Sequence, residues 1–106
     1  MIKTASEFLA LASLKKGKVK VRDQEIHFRE LSVSERGRML EVAAKNSAEA
    51  PAWLVAACVI TPDGAQMFTE DQAKGVAQAA PEVVDAVAVA IMRLSGIGGE
   101  DSAKNG

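Results

Sequence analysis

The chain has 106 residues, a length that fits one domain, with 48% apolar and 25% charged residues, enough for an independent core without metal or disulfide support. A single cysteine, Cys58, excludes an internally bridged secreted scaffold. The longest apolar run, Ala50–Ile60, falls far short of the ~20 residues of a membrane span, and Met1-Ile2-Lys3-Thr4 opens without the apolar stretch of a signal peptide, so an intracellular soluble protein is expected.

The net charge of −1 is unevenly spread: residues 1–45 carry 10 Lys/Arg against 6 Asp/Glu, and residues 46–106 carry 3 against 8. Three Ser/Thr-x-x-Glu/Gln signatures mark helix starts at Thr4, Ser32 and Thr69, because the hydroxyl accepts from the third residue's backbone N–H while the Glu or Gln reaches back. The first predicts a helix from about Ala5 to Lys16, with Phe8, Leu9, Ala12 and Leu11 supplying the apolar face and Gly17 a left-handed stop. The period then changes from 3.6 to 2. Lys18-Val19-Lys20-Val21-Arg22 and Glu25-Ile26-His27-Phe28-Arg29 alternate as half-buried strands, with a turn at Asp23-Gln24. Val19, Val21, Ile26 and Phe28 would share one face of this hairpin, and a lone hairpin must lean on a helix or a partner.

From the Ser32 cap a second helix is predicted over about Val33–Lys45, with Val33, Leu40, Ala43 and Ala44 inward and Met39 and Val42 at the margin. After a loop at residues 46–50, Pro51 opens a helical segment that ends before Pro62, and Thr61-Pro62-Asp63-Gly64 reads as a turn. Two more helices are predicted at Glu70–Ala79 and Glu82–Ser95, the latter opened by Pro81 and closed by Gly96. The expected fold class is therefore α+β, mainly α: an N-terminal helix and a β-hairpin near residues 18–30, then about four short helices. Residues 1–96 would form one helical domain and residues 97–106 a disordered, flexible tail.

No pattern for catalysis, metal or cofactor stands out. His27 has no second ligand at metal spacing and is expected in solvent. Cys58 sits in Ala-Ala-Cys-Val-Ile, the setting of an inert buried thiol. Gly96-Ile97-Gly98-Gly99 precedes no helix that could seat a phosphate. Lys15, Lys16, Lys18, Lys20 and Arg22 form a basic cluster that would suit a small nucleic-acid-binding regulator, but no aromatic is interleaved for base stacking, which argues against nucleic acid.

Apolar surface is what the chain has in excess. Ala50–Ile60 holds no polar residue apart from the thiol, and residues 86–92 run for nearly two turns without one. A helix apolar all round must be covered all round. Either another protein covers part of this surface, with Trp53, Val59, Val89 and Met92 as candidate partner-binding residues, or the chain's 19 alanines make a thin, close-packed core.

Several short blocks resemble one family. Arg29-Glu30-Leu31-Ser32, followed by Glu35-Arg36, is similar to the strand-to-helix signature of tail assembly chaperones of long-tailed bacteriophages of the lambda and HK97 type. Residues 54–60, then Asp63-Gly64 and Phe68-Thr69-Glu70-Asp71, resemble the family's helix, turn and acidic cap, and Leu94-Ser95-Gly96-Ile97 resembles its Leu-Asn-Gly-Leu ending. Ser95 stands where the family has Asn, and residues 1–16 match nothing diagnostic.

The resemblance implies a non-catalytic chaperone in the cytoplasm of the bacterial host. It would bind the tape measure protein while tail-tube subunits polymerise, self-associate as a homo-oligomer, and be absent from the mature virion. Met39, Met67 and Met92 would then suit a tolerant client interface, methionine being flexible and polarizable, and would serve equally as core fillers. It also implies that a frameshifted long form recruits the tail-tube protein, and Ala103-Lys104-Asn105 can be encoded with the slippery heptamer A-AAA-AAC. A minor structural tail protein is the remaining alternative.

Overall fold

Five α-helices and a small antiparallel sheet make up residues 1–97, the part of the chain that the computed structural model describes. The order is α1 (Ala5–Leu11), β1 (Lys16–Val21), β2 (Gln24–Arg29), α2 (Val33–Lys45), α3 (Ala50–Cys58), β3 (Val59–Ile60), α4 (Glu70–Val76) and α5 (Pro81–Leu94), with a 3-10 turn at Ser47–Glu49 leading into α3. This is the mainly helical α+β arrangement expected from the sequence. Of the expected 97–106 tail, everything beyond Ile97 lies outside the described residues, as does Ala103-Lys104-Asn105.

All three predicted caps form. Ser32 and Thr69 make complete reciprocal boxes with Glu35 and Gln72, while Thr4 accepts from the Glu7 N–H and turns its hydroxyl to the Glu7 carboxylate. The first helix nevertheless ends five residues early, at Leu11, and none of its residues is buried. Lys16 and Gly17 belong to β1 instead, because the strand alternation reaches further back than Lys18. Lys15 anchors that start: its carbonyl accepts from the Glu30 N–H and its own N–H donates to the Glu30 carboxylate.

β1 and β2 pair from Lys16↔Arg29 to Val21↔Gln24. The two turn residues are therefore Arg22 and Asp23, both at positive φ (50° and 65°), one position earlier than expected. Such a two-residue turn matches the right-handed twist of the strands. Val19 and Ile26 face each other on the side that α5 covers, and Lys16, Lys18 and Lys20 are exposed on the other.

β3 was not foreseen, since the apolar segment from Pro51 reads as one helix up to Pro62. Instead α3 stops at Cys58, and Val59 and Ile60 pair with Phe28 and His27. Two consecutive β-branched residues just before a turn fit a strand better than a helix end. The Thr61–Ala65 turn returns the chain, with Gly64 at φ +95°, and Gln66 bridges back to Ile60.

α2 has the expected bounds but a rotated inner face. Met39 is buried with Val42 and Ala43 half-buried, whereas Val33 is 93% exposed and Leu40 is exposed too. Glu35 sets the rotation, because its carboxylate turns inward to Arg29 and brings Met39, one turn later, into the core. α4 ends at Val76 rather than Ala79. Just beyond it the N–H groups of Gln78 and Ala79 donate three residues back, to the carbonyls of Gly75 and Val76, tightening the chain ahead of Pro81. α5 closes as expected at Gly96 (φ +71°): the Ile97 N–H reaches the Met92 carbonyl and the Gly96 N–H the Arg93 carbonyl.

Leu54, Cys58, Val87 and Ile91 are the fully enclosed centre, where α3 crosses α5. α2 and α4 close over α3, and the sheet contributes Phe28 and Val59. The uniformly apolar α3 is thus a core helix, flanked by half-buried Ala52, Trp53, Ala56 and Ala57.

Candidate protein-binding surface

The residues that carry the family resemblance gather mainly at one junction. Arg29 donates to both carboxylate oxygens of Glu35 (2.6 and 2.9 Å) and to the carbonyls of Glu30 and Ala57. The hydrogen bond from Arg29 holds the Glu35 carboxyl down at about 2, and the same bond raises the Arg29 guanidinium above its ordinary value. Leu31 is buried, and its N–H donates to the Ser95 hydroxyl (3.0 Å). Arg36 donates to the Ser95 carbonyl, capping the end of α5 beside Leu94 and Gly96. Asp63 and Gly64 make the turn after β3, and Phe68 packs half-buried against the core. Most of these positions hold elements of the scaffold together. One polar junction ties the β2–α2 corner to the end of α5 and to the last carbonyls of α3, where Gln66 also donates.

Chemistry has little to work with at the remaining polar groups. Cys58 is fully enclosed, and burial pushes its thiol up to about 11. Among the described residues no cluster of three His, Cys, Asp or Glu side chains could hold a metal. His27 is half-buried rather than solvated, with Nε2 3.1 Å from the Glu25 carboxylate. The basic face of β1 is partly neutralised: Lys18 lies 3.5 Å from Glu25, and Arg22 Nε donates to Glu82 at 2.8 Å. Lysines along this outer strand of the sheet also guard its open edge against pairing with other chains. No single described helix is long and apolar enough to cross a membrane.

The candidate partner-binding residues do not form one patch. Met39 and Val59 are enclosed in the core and closed to any partner of the folded chain, because Glu35 turns Met39 inward and β3 carries Val59 under the sheet. Met92 is half-buried. Trp53 borders two shallow grooves beside α3, of about 590 and 430 Å³. Met67 is exposed on the rim of a third, almost wholly apolar groove of about 330 Å³ between the sheet, α4 and α5. Val89 is exposed on the outer side of α5. The candidate list left out the cluster of exposed apolar residues on α1: Phe8, Leu9 and Leu11 are 58, 68 and 73% exposed. Their helical spacing was visible as an apolar face, but nothing local in the sequence says whether such a face meets the chain's own core or solvent.

No family model matches the chain, and no curated protein matches it in sequence. Among solved structures, that of the bacteriophage HK97 tail assembly chaperone superposes on it with a TM-score of 0.53 over 85% of this chain and 88% of the other, at 20% identity. The two chains share a fold. The likeness to the HK97 chaperone extends over most of both molecules.

Proposed function

We propose that this chain is a tail assembly chaperone of a long-tailed bacteriophage or prophage, acting in the host cytoplasm by non-covalent binding. The observation that carries this reading is the fold shared with the HK97 tail assembly chaperone over most of both chains. The surface supports it. Exposed Phe8, Leu9, Leu11, Val33, Leu40, Met67 and Val89, with three open grooves, are unusual for a domain that works alone and suited to covering apolar helical stretches of a client.

The client is the tape measure protein, kept soluble while tail-tube subunits assemble around it, and the chaperone leaves before the virion is complete. A frameshift at Ala103-Lys104-Asn105 would append a segment that recruits tail-tube protein. Co-expression with the tape measure protein of the same phage tests the reading: its soluble yield should rise several-fold and the two should co-purify. An unchanged yield with no co-purification would refute it. Mass spectrometry of purified virions should find no copies of the chain.

A further inference from the structure

β1 is the outer strand of the sheet, and its free side carries backbone groups that no described part of the chain uses. The Glu30 N–H donates to the Lys15 carbonyl, which sets the alternation of the ladder, because in an antiparallel pair every second register position exchanges hydrogen bonds. With the register running from Lys16↔Arg29 to Val21↔Gln24, Gly17, Val19 and Val21 turn their N–H and C=O groups towards β2. Those of Lys16, Lys18 and Lys20 point away from the sheet, and no described residue bonds to them. The side chains of the same three residues stand on the exposed face of the strand. Lys16 and Lys20 have no ion pair among the described residues, and Lys18 has only the solvent-exposed Glu25, at 3.5 Å. On the other face Val19 and Val21 are half-buried, which leaves apolar area for a further strand to cover.

We propose that this edge takes up an extended segment of a partner protein as a fourth strand, one that carries a carboxylate on every second residue. The free N–H and C=O groups of Lys16, Lys18 and Lys20 supply the main-chain pairing. Their ammonium groups select side chains of opposite charge at the facing positions, which are cross-strand neighbours on one face. The intervening residues of the segment fall beside Val19 and Val21 and are apolar. A second copy's β1 does not fit, since pairing two such edges sets lysine against lysine. The charges that guard the edge against basic and neutral strands are thus the ones that admit an acidic strand. The inference rests on the sheet edge and does not require the chaperone reading.

The test uses the purified full chain and a short fluorescent peptide alternating valine and glutamate, with binding read by anisotropy and amide exchange with solvent read by NMR. The peptide should bind saturably. Exchange at the Lys16, Lys18 and Lys20 amides should slow at least tenfold, while Gly17, Val19 and Val21, already bonded to β2, should change little. A peptide of the same composition with its glutamates in one block, and one alternating valine and lysine, should each bind at least tenfold more weakly. Lys16→Glu/Lys20→Glu should lose the acidic peptide and gain the basic one. Lys18→Pro removes an N–H that faces away from the sheet, a position where an edge strand tolerates proline. It should keep circular dichroism and melting yet weaken binding at least tenfold beyond Lys18→Ala. Should it lose its fold, a peptide N-methylated on the residues that pair with β1 replaces it and should bind at least tenfold more weakly than the unmodified peptide. Equal binding of the alternating and block peptides, lysine amides that do not slow, or backbone blocking without effect overturns the proposal. So does single-stranded nucleic acid that binds these lysines while the acidic peptide does not.

Discussion

Phe28 stands directly opposite Gly17 across the hairpin, and its ring occupies the space where a side chain at Gly17 would begin. A Cβ at Gly17 would lie 3.0 Å from the ring and 3.4 Å from Leu94, so the absent side chain lets α5 and the sheet close together. Gly17→Val should therefore force the ring out of its rotamer and destabilise the fold by about 1–3 kcal/mol. Urea unfolding should show a lower midpoint with an unchanged slope.

The Arg29–Glu35 pair is mostly shielded from solvent, with side chains 19 and 24% exposed. Its removal should cost more than an exposed ion pair but less than one sealed in a core, about 2–3 kcal/mol for Arg29→Ala. Arg29→Met/Glu35→Leu should recover much of that loss, because no uncompensated charge then remains. A double-mutant cycle in urea measures the coupling.

Acid should act through the same pair. Glu35 has a folded value of about 2 against 4.5 for a free glutamate. The stability from this lowered value is complete above about pH 4.5 and is lost as the pH falls towards 2. Unfolding midpoints of the wild type should drop across that window, and Glu35→Gln should flatten the dependence while lowering the plateau.

Ser95 links two distant parts of the chain through its hydroxyl, which accepts from the buried Leu31 N–H. Ser95→Ala leaves that donor without a partner and should cost about 1–3 kcal/mol. Amide exchange at Leu31 should accelerate by more than global destabilisation alone would give.

Cys58, with its thiol at about 11, carries on the order of a hundredfold less thiolate at pH 8 than an ordinary cysteine. Its reaction with a disulfide reagent should be far slower than that of a free thiol and should rise to the free-thiol rate in denaturant. A fast reaction in the native protein would contradict its place at the α3–α5 crossing.

Features fixed by local chemistry were legible in the sequence. The Ser32 and Thr69 boxes, Pro81 and Gly96 place helix ends through hydrogen bonds and backbone angles that need only a few neighbouring residues. The Lys18–Arg29 alternation likewise revealed the hairpin. What the sequence concealed depends on distant partners. The inner face of α2 is chosen by Arg29 rather than by its own Val33 and Leu40, β3 exists because Phe28 and His27 offer an edge to Val59 and Ile60, and α1 keeps its apolar stripe in solvent. For the binding surface, Met67 and Val89 are exposed, but Met39 and Val59 are core. Hydropathy cannot separate an apolar residue facing a partner from one facing its own domain.

The claim that this domain works by holding an aggregation-prone tail protein in solution is tested most directly by diluting denatured tape measure protein into buffer and following its light scattering. Purified chain should suppress the scattering in a saturable way, with several copies needed for each client molecule. Scattering that proceeds equally fast at every concentration of the chain, with no complex recovered, would contradict it.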